Sequence, residues 1–234
     1  MKYYQAEMHC HTSEVSPCSC ISANQIVDGY EAAGYRYLFI TDHYHPSVLD
    51  KPEMSRLPWE KRVRHMMSGY EAAKKAADGT GLLVLPGVEV VLNRDEQTKV
   101  GDDFLVYGFD EDFLLENPWL YKLSYEDFYD VIRRNGLLTF QAHPYRYGRK
   151  PVLPICYDGI EVVNTHPRHV SRNGMAVDFA ADHGLYTIGG SDTHASEDVG
   201  RGGVMLPGGI ESAKEFVSYV KENGSPELIV TFGA

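Results

Sequence analysis

Ten histidines and 33 acidic side chains give this chain many donors for metal ions, and several fall at telling spacings. In Met8-His9-Cys10-His11-Thr12, two imidazoles two residues apart point to the same side of an extended segment, where one cation can take both. Gly189-Gly190-Ser191-Asp192-Thr193-His194 repeats that spacing with a carboxylate and an imidazole, behind two glycines that allow close backbone approach. In Phe39-Ile40-Thr41-Asp42-His43, His43 is a candidate ligand, and Asp42 is a candidate to hold the second ring nitrogen of a ligand histidine. Leu85-Pro86-Gly87-Val88-Glu89 reads as a strand ended by Pro and Gly that presents a carboxylate able to bridge two cations. Phe140-Gln141-Ala142-His143-Pro144-Tyr145-Arg146 sets a histidine after an apolar strand, with the planar fork of Arg146 suited to a phosphate oxygen. Read singly, these motifs have ordinary explanations: a helix-capping Asp with an exposed His, a surface Glu, a surface salt bridge. Five together at five strand ends point to a metal cluster.

The elements that must position them follow from an alternation of short apolar runs with helical patterns. Residues 3–8, 37–40, 82–85, 104–107, 138–140, 159–163, 186–188 and 228–230 read as strands. Ser22-Ala23-Asn24-Gln25 and Ser212-Ala213-Lys214-Glu215 read as capping boxes, and helices are expected over about 59–77, after Ser124, and from about 173 to 183. This predicts one α/β domain over residues 1–234, with a mostly parallel sheet and helices outside. A closed or nearly closed barrel of seven or eight units fits the length. His9, His43, Glu89, His143 and Asp192 then each follow a strand, and the C-terminal strand edge of such a barrel is where they would meet.

The net charge of −11 repels nucleic-acid backbone and anionic membrane faces. It disfavours long nucleic acid but not a small anionic substrate beside bound cations. No apolar run approaches the roughly 18 residues of a membrane span, and the N-terminus does not look like a signal peptide, so a cytoplasmic location is expected. Cys10, Cys18, Cys20 and Cys156 lack the paired spacing of a zinc ribbon and read as reduced thiols, with a soft-metal site at Cys18 and Cys20 as the alternative. Cys10 alternates away from its histidine neighbours and reads as core.

The order H-x-H, T-D-H, P-G-x-E, A-H-P, G-S-D-x-H, from His9 to His194, resembles the polymerase and histidinol phosphatase (PHP) family. The resemblance implies a distorted (β/α)7 barrel holding two or three divalent metal ions, commonly manganese, iron or zinc. It implies that His9, His11, Glu89 and Asp192 hold the first ion. Glu89 would bridge to a second held with His143, while His43 and His194 would hold a third. Two departures stand out. Many relatives carry a histidine before the strand that here reads Asp102-Asp103-Phe104-Leu105-Val106-Tyr107-Gly108, so Asp103 is inferred to substitute, with Asp102 as the fallback. Some relatives place a ligand shortly after H-x-H; here Ser13-Glu14-Val15-Ser16-Pro17 offers Glu14 as the hard ligand. More oxygen donors would favour manganese or iron over zinc.

His166, after a strand, is a candidate proton donor or phosphate contact, and Arg146, Arg168 and Arg201 are candidate anion contacts. His45, His65, His169 and His183 read as surface or packing residues, while Tyr44 and Tyr145 sit beside ligands. Leaving-group specificity is assigned to the loops 50–57 and 110–120. The implied activity is hydrolysis of small phosphate or phosphonate esters by a metal-activated hydroxide. The alternatives are a phosphodiesterase or nuclease acting on short nucleotides, a histidinol phosphatase, and a non-catalytic metal-stabilised scaffold. The motifs say nothing of oligomeric state.

Overall fold

Residues 2–95, 97–98 and 100–230 are described by a computed structural model. In chain order these are β1 (Tyr3–Glu7), α1 (Ala23–Ala32), β2 (Tyr37–Ile40), β3 (His43–Tyr44), α2 (Pro46–Leu49), α3 (Pro52–Ser55), α4 (Trp59–Ala76), β4 (Leu83–Leu92) and β5 (Asp102–Tyr107). Then come α5 (Glu111–Glu116), α6 (Tyr125–Arg134), β6 (Leu138–Gln141), β7 (Gly159–Asn164), α7 (Asn173–His183), β8 (Tyr186–Gly190), β9 (Gly202–Pro207), α8 (Ala213–Asn223) and β10 (Glu227–Val230).

Capping chemistry starts the helices where the sequence places them. At Ser22 both halves of the capping box form. Ser124 accepts from the Asp127 N–H, and α6 buries Phe128 and Ile132, four residues apart on one face. Ser212 accepts from the Glu215 N–H, but the Glu215 carboxylate takes the Glu211 N–H, so this cap is single rather than a box. Gly184, at φ 63°, ends α7 in the left-handed region that glycine tolerates.

The sheet runs β10-β9-β1-β2-β4-β5-β6-β7-β8, with β3 added beside β4. It curls into a nearly closed barrel, so that β8 lies against β9. Glycine permits that approach, since a Cβ on Gly202 would stand 2.9 Å from the Gly190 carbonyl oxygen. Two expectations need correction. The sheet is mixed: β4-β5-β6 and β1-β9-β10 pair antiparallel, while the remaining neighbours are parallel. Also, β4 does not stop at Pro86-Gly87. It pairs with β2 through Pro86, then runs on against β5 to Leu92. Glu89 is therefore inside a strand, not after one. A proline can stay in such a strand where its neighbours change partner. The strand β9 was not anticipated, because its glycine pair Gly202-Gly203 reads as loop.

The barrel interior is a filled core. Phe39, Tyr107 and Phe140 meet Phe216, Val217 and Val220 from α8. Phe39, Tyr107 and Phe216 pack ring to ring with centroids 5.0–5.4 Å apart. The Tyr107 hydroxyl, wholly buried, donates to the Met8 carbonyl at 2.7 Å, so the core roof is tied to the residue just before His9. Among the described residues no helix is long and apolar enough to cross a membrane.

Candidate metal centre

Beyond β1 and β8 the two motifs with two-residue spacing run side by side. Cys10 and Thr193 form a parallel bridge, the His11 N–H donates to the Thr193 carbonyl at 3.0 Å, and the Thr193 N–H donates to the His9 carbonyl at 3.1 Å. Alternation then sends His9, His11, Asp192 and His194 toward one cluster, while Cys10 is buried. Gly190 allows this, because a Cβ there would come within 2.5 Å of the His9 Cβ. On the other side of the site, β3 sets His43 opposite Glu89.

The donor atoms converge, and among the contacts to Glu89 and Asp192 below, that of His143 Nε2 with Glu89 Oε1 has hydrogen-bond geometry. His9 Nε2 lies 3.2 Å from Glu89 Oε1 and 3.5 Å from Asp192 Oδ1. His11 Nε2 lies 3.4 Å from Asp192 Oδ1 and 3.6 Å from Glu89 Oε2. His43 Nδ1 and His143 Nε2 approach Glu89 at 2.7 and 3.1 Å. Yet His9 Nε2, both ring nitrogens of His11 and His43 Nδ1 are buried without a hydrogen-bond partner. An orphaned buried polar atom costs about 1–3 kcal/mol. Ligand atoms about 2.0–2.2 Å from a shared cation stand about 3–3.5 Å from each other. The spacing and the orphaned nitrogens thus fit divalent metal ions. His9, His11 and Asp192 form one potential ligand group, and His9, Glu89 and His143 another. A third is His11, His43 and His194, a fourth His43, His45 and Glu89, and a fifth His166, Asp192 and His194.

Buried partners fix this array. Glu161, wholly buried on β7, accepts from His9 Nδ1 and from the His143 N–H, both at 2.9 Å, and from Asn164 Nδ2 at 3.0 Å. With Nδ1 protonated, His9 Nε2 presents its lone pair to the cluster. Glu7 accepts from the His9 and Ser191 N–H groups and from the Tyr30 hydroxyl, and burial pushes its carboxyl up to about 7. His143 and Asp192 hold left-handed backbone, at φ 27° and 52°, strain of the kind that functional sites carry. Burial opposes charge on His9, but Asp192, Glu161 and Glu89 together raise its pKa well above the ordinary value. Burial likewise works against the Asp192 carboxylate, and His9 and Arg146 overcome it to hold its pKa well below the ordinary range.

The cluster opens into a cavity of about 590 Å³. Arg146 and Arg168 reach it. Arg146 Nη2 donates to Asp192 Oδ2 at 2.6 Å and to Asn164 Oδ1 at 2.7 Å, while its buried Nε has no partner. Arg168 is clamped on Asp198 and Glu197. Arg201 turns its Nε to the Glu197 carbonyl at 3.0 Å and is not among the residues lining the cavity. His166 does line it, but burial, with Arg146 and Arg168, brings its pKa down to about 4 against the opposing pull of Asp192.

Several placements differ from the sequence reading. The Glu14 carboxylate accepts from the Ala23 N–H at 3.1 Å, at the start of α1, and lies outside the ligand groups. Asp42 holds no ligand histidine; it accepts from the Thr12 N–H and hydroxyl and from the Ser16 hydroxyl, all at 2.7 Å, and so pins the loop that follows His11. Asp103 faces the cavity with Oδ1 unpartnered, 3.3 Å from His45 Nε2, whereas Asp102 points the other way to Arg149. His45 and His169 are not ordinary surface residues: His45 joins a ligand group and His169 lines the cavity. The loops 50–57 and 110–120 and the residues Tyr44 and Tyr145 do not line it.

Sequence reasoning missed Glu161, Glu7 and His45, and named Cys18 only in the alternative of a soft-metal site with Cys20. A signal existed for most. Glu161 and Glu7 are charges in otherwise apolar strands, which a fold keeps only when they are partnered. His43-Tyr44-His45 repeats the two-residue spacing of the other pairs. Cys18 Sγ lies 3.1 Å from His43 Nε2 and 3.2 Å from His194 Nε2; burial raises its pKa, but the two histidines outweigh it and bring the thiol down to about 6.

Residues 170–224 match the family model described as PHP-associated. The fold is that of several solved structures, one of them named as PHP-like. A two-domain protein from Bacteroides vulgatus, containing a predicted PHP-like metal-dependent phosphoesterase, superposes with a TM-score of 0.67 at 17% identity. This chain shares the fold of that PHP-like protein. It is covered over 98% of its length by that alignment but spans only 65% of the Bacteroides protein. PsfC from Pseudomonas syringae gives a TM-score of 0.69 at 18% identity, with 99% of this chain and 93% of that one aligned. The lesion-specific endonuclease PfuEndoQ from Pyrococcus furiosus gives 0.62 at 14% identity, with 97% of this chain aligned to 58% of that protein. No curated protein sequence matches it.

Proposed function

We propose that this chain is a metal-dependent hydrolase of small phosphate or phosphonate esters. One observation carries the reading: buried, unpartnered imidazole nitrogens converge with Glu89 and Asp192 at the floor of a cavity that two arginines also reach. His9, His11, Glu89 and Asp192 would hold one cation, Glu89 with His143 and the Asp103–His45 pair a second, and His43 with His194 a third. Bound there, such ions polarise a phosphoryl oxygen and acidify a water. The protein's own side chains do the rest. Glu161 keeps the ring of His9 in its ligand tautomer. Arg146, locked by Asp192 and Asn164, presents a fixed cation to the equatorial oxygens of the ester, where charge accumulates in phosphoryl transfer. Arg168, held by Asp198, adds a second anion contact nearer the rim. Neutral His166 serves as an acceptor or ligand.

A cavity of about 590 Å³ suits a small molecule, and the net charge of −11 disfavours a long polyanion. A panel decides among ester classes: a phosphate monoester, a phosphate diester, a phosphonate monoester and a long single-stranded DNA, each with manganese-loaded protein and a chelator-stripped control. Metal-dependent turnover of one small ester supports the reading. Turnover of the DNA alone replaces it with a nuclease, and no turnover of any with metal bound moves it to a non-catalytic scaffold.

A further inference from the structure

We propose that Cys18 is a thiolate ligand that joins His43 and His194 in a site of one sulfur and two nitrogens, making this end of the centre a zinc-type position unlike the oxygen-rich end at Glu89 and Asp103. The inference rests on the metal-centre reading above and adds a donor to it.

Two Nε2 atoms flank one sulfur, that of His43 at 3.1 Å and that of His194 at 3.2 Å. A thiol can donate to one of them and accept only from a protonated Nε2 of the other; where both Nε2 atoms present lone pairs, a cation between the three atoms satisfies all. His194 is already in the tautomer such a cation needs. Its Nδ1 sits 2.9 Å from the Asp192 carbonyl, which can only accept, so Nδ1 carries the proton and Nε2 turns its lone pair toward Cys18. His11 supplies an independent pointer. It is wholly buried, neither ring nitrogen has a partner, and one of them lies within 4.8 Å of ring nitrogens of His43 and His194.

The loop that presents the sulfur is fastened on both sides. Before Cys18, Ser16 is bonded to Asp42 at 2.7 Å. After it, the Ser19 hydroxyl donates to the His11 carbonyl at 2.9 Å, and the Cys20 N–H donates to the His194 carbonyl at 2.9 Å. In the stretch after H-x-H, Glu14 is spent on the start of α1, and the donor that reaches the histidines is the sulfur of Cys18. A thiolate with imidazoles suits zinc, whereas carboxylates suit manganese or iron. The two ends of the cluster therefore differ in the metal they prefer.

Cobalt(II) tests this, since a cobalt–thiolate bond adds a sulfur-to-metal charge-transfer band in the near ultraviolet. Chelator-stripped wild-type protein titrated with cobalt(II) should develop the band. Cys18→Ser should lose it entirely, with one class of cobalt sites weakened by at least about tenfold, while Cys20→Ser keeps it. Cobalt bound to the wild type without the band, or a band that survives Cys18→Ser, overturns the Cys18 assignment and leaves the hydrolase reading standing. A wild type that binds no cobalt overturns both. A second measurement needs no variant: zinc should protect Cys18, but not Cys20, from iodoacetamide in the wild-type protein, and equal labelling of Cys18 with and without bound zinc contradicts the proposal.

Discussion

Glu161→Gln is the change that separates an organised metal site from a chance cluster of histidines. The carboxylate is wholly buried and accepts three hydrogen bonds, one on Oε1 from His9 Nδ1 and two on Oε2 from the His143 N–H and Asn164 Nδ2. Glutamine keeps the shape but has one acceptor oxygen. If that oxygen stays beside His143 and Asn164, the amide NH2 faces His9 Nδ1 and drives the ring proton to Nε2. A protonated Nε2 cannot bind a cation, and affinity falls by about 10–100-fold, equivalent to about 1.4–2.7 kcal/mol. If the oxygen stays beside His9, the NH2 opposes two buried N–H donors, and the fold loses about 1–3 kcal/mol for each left unpaired. Manganese titration calorimetry on stripped protein reads the first outcome and thermal unfolding of the metal-free protein reads the second. A Glu161→Gln protein unchanged in both would refute the reasoning, because it would mean that His9 is not oriented by Glu161.

Further consequences follow from other contacts. Gly69→Ala, in the middle of α4, would gain about 1 kcal/mol in an open helix; here a Cβ overlaps Thr12 Oγ1 and Asp42 Oδ2, so thermal denaturation should show a loss of about 1–3 kcal/mol instead. Arg146→Met should lower kcat/KM for the preferred ester by about 100-fold while metal content, read by elemental analysis, stays at the wild-type level. Manganese at 100 times its Kd should stabilise the wild-type fold by about 2.7 kcal/mol, and the rise in Tm should vanish in an Asp192→Ala protein.

Much of this was legible in the chain, for physical reasons. His9, His11, Asp192 and His194 were readable because two-residue spacing in extended backbone has one geometric outcome, and β1 and β8 then place the two pairs side by side. The helices were readable because Ser22, Ser124 and Ser212 carry local capping chemistry. What escaped depended on pairing between distant segments. Pro86 and Gly87 look like a strand end, and only the switch from β2 to β5 shows that β4 passes through them. Antiparallel pairing of β5 leaves no trace in its apolar pattern. Glu14 and Cys18 are both donors near H-x-H, and the Ala23 N–H, an accident of the tertiary fold, takes the first and leaves the second facing His43 and His194.

The most direct test of the central claim is stepwise return of manganese to chelator-stripped protein while turnover of the preferred small ester and bound metal are followed together. Turnover should be negligible at the start and rise with occupancy to a plateau at two or three ions per chain, with no rise in His9→Ala or Asp192→Ala proteins that remain folded. Turnover that is independent of bound metal, or that survives both substitutions at full rate, would contradict the metal-dependent reading.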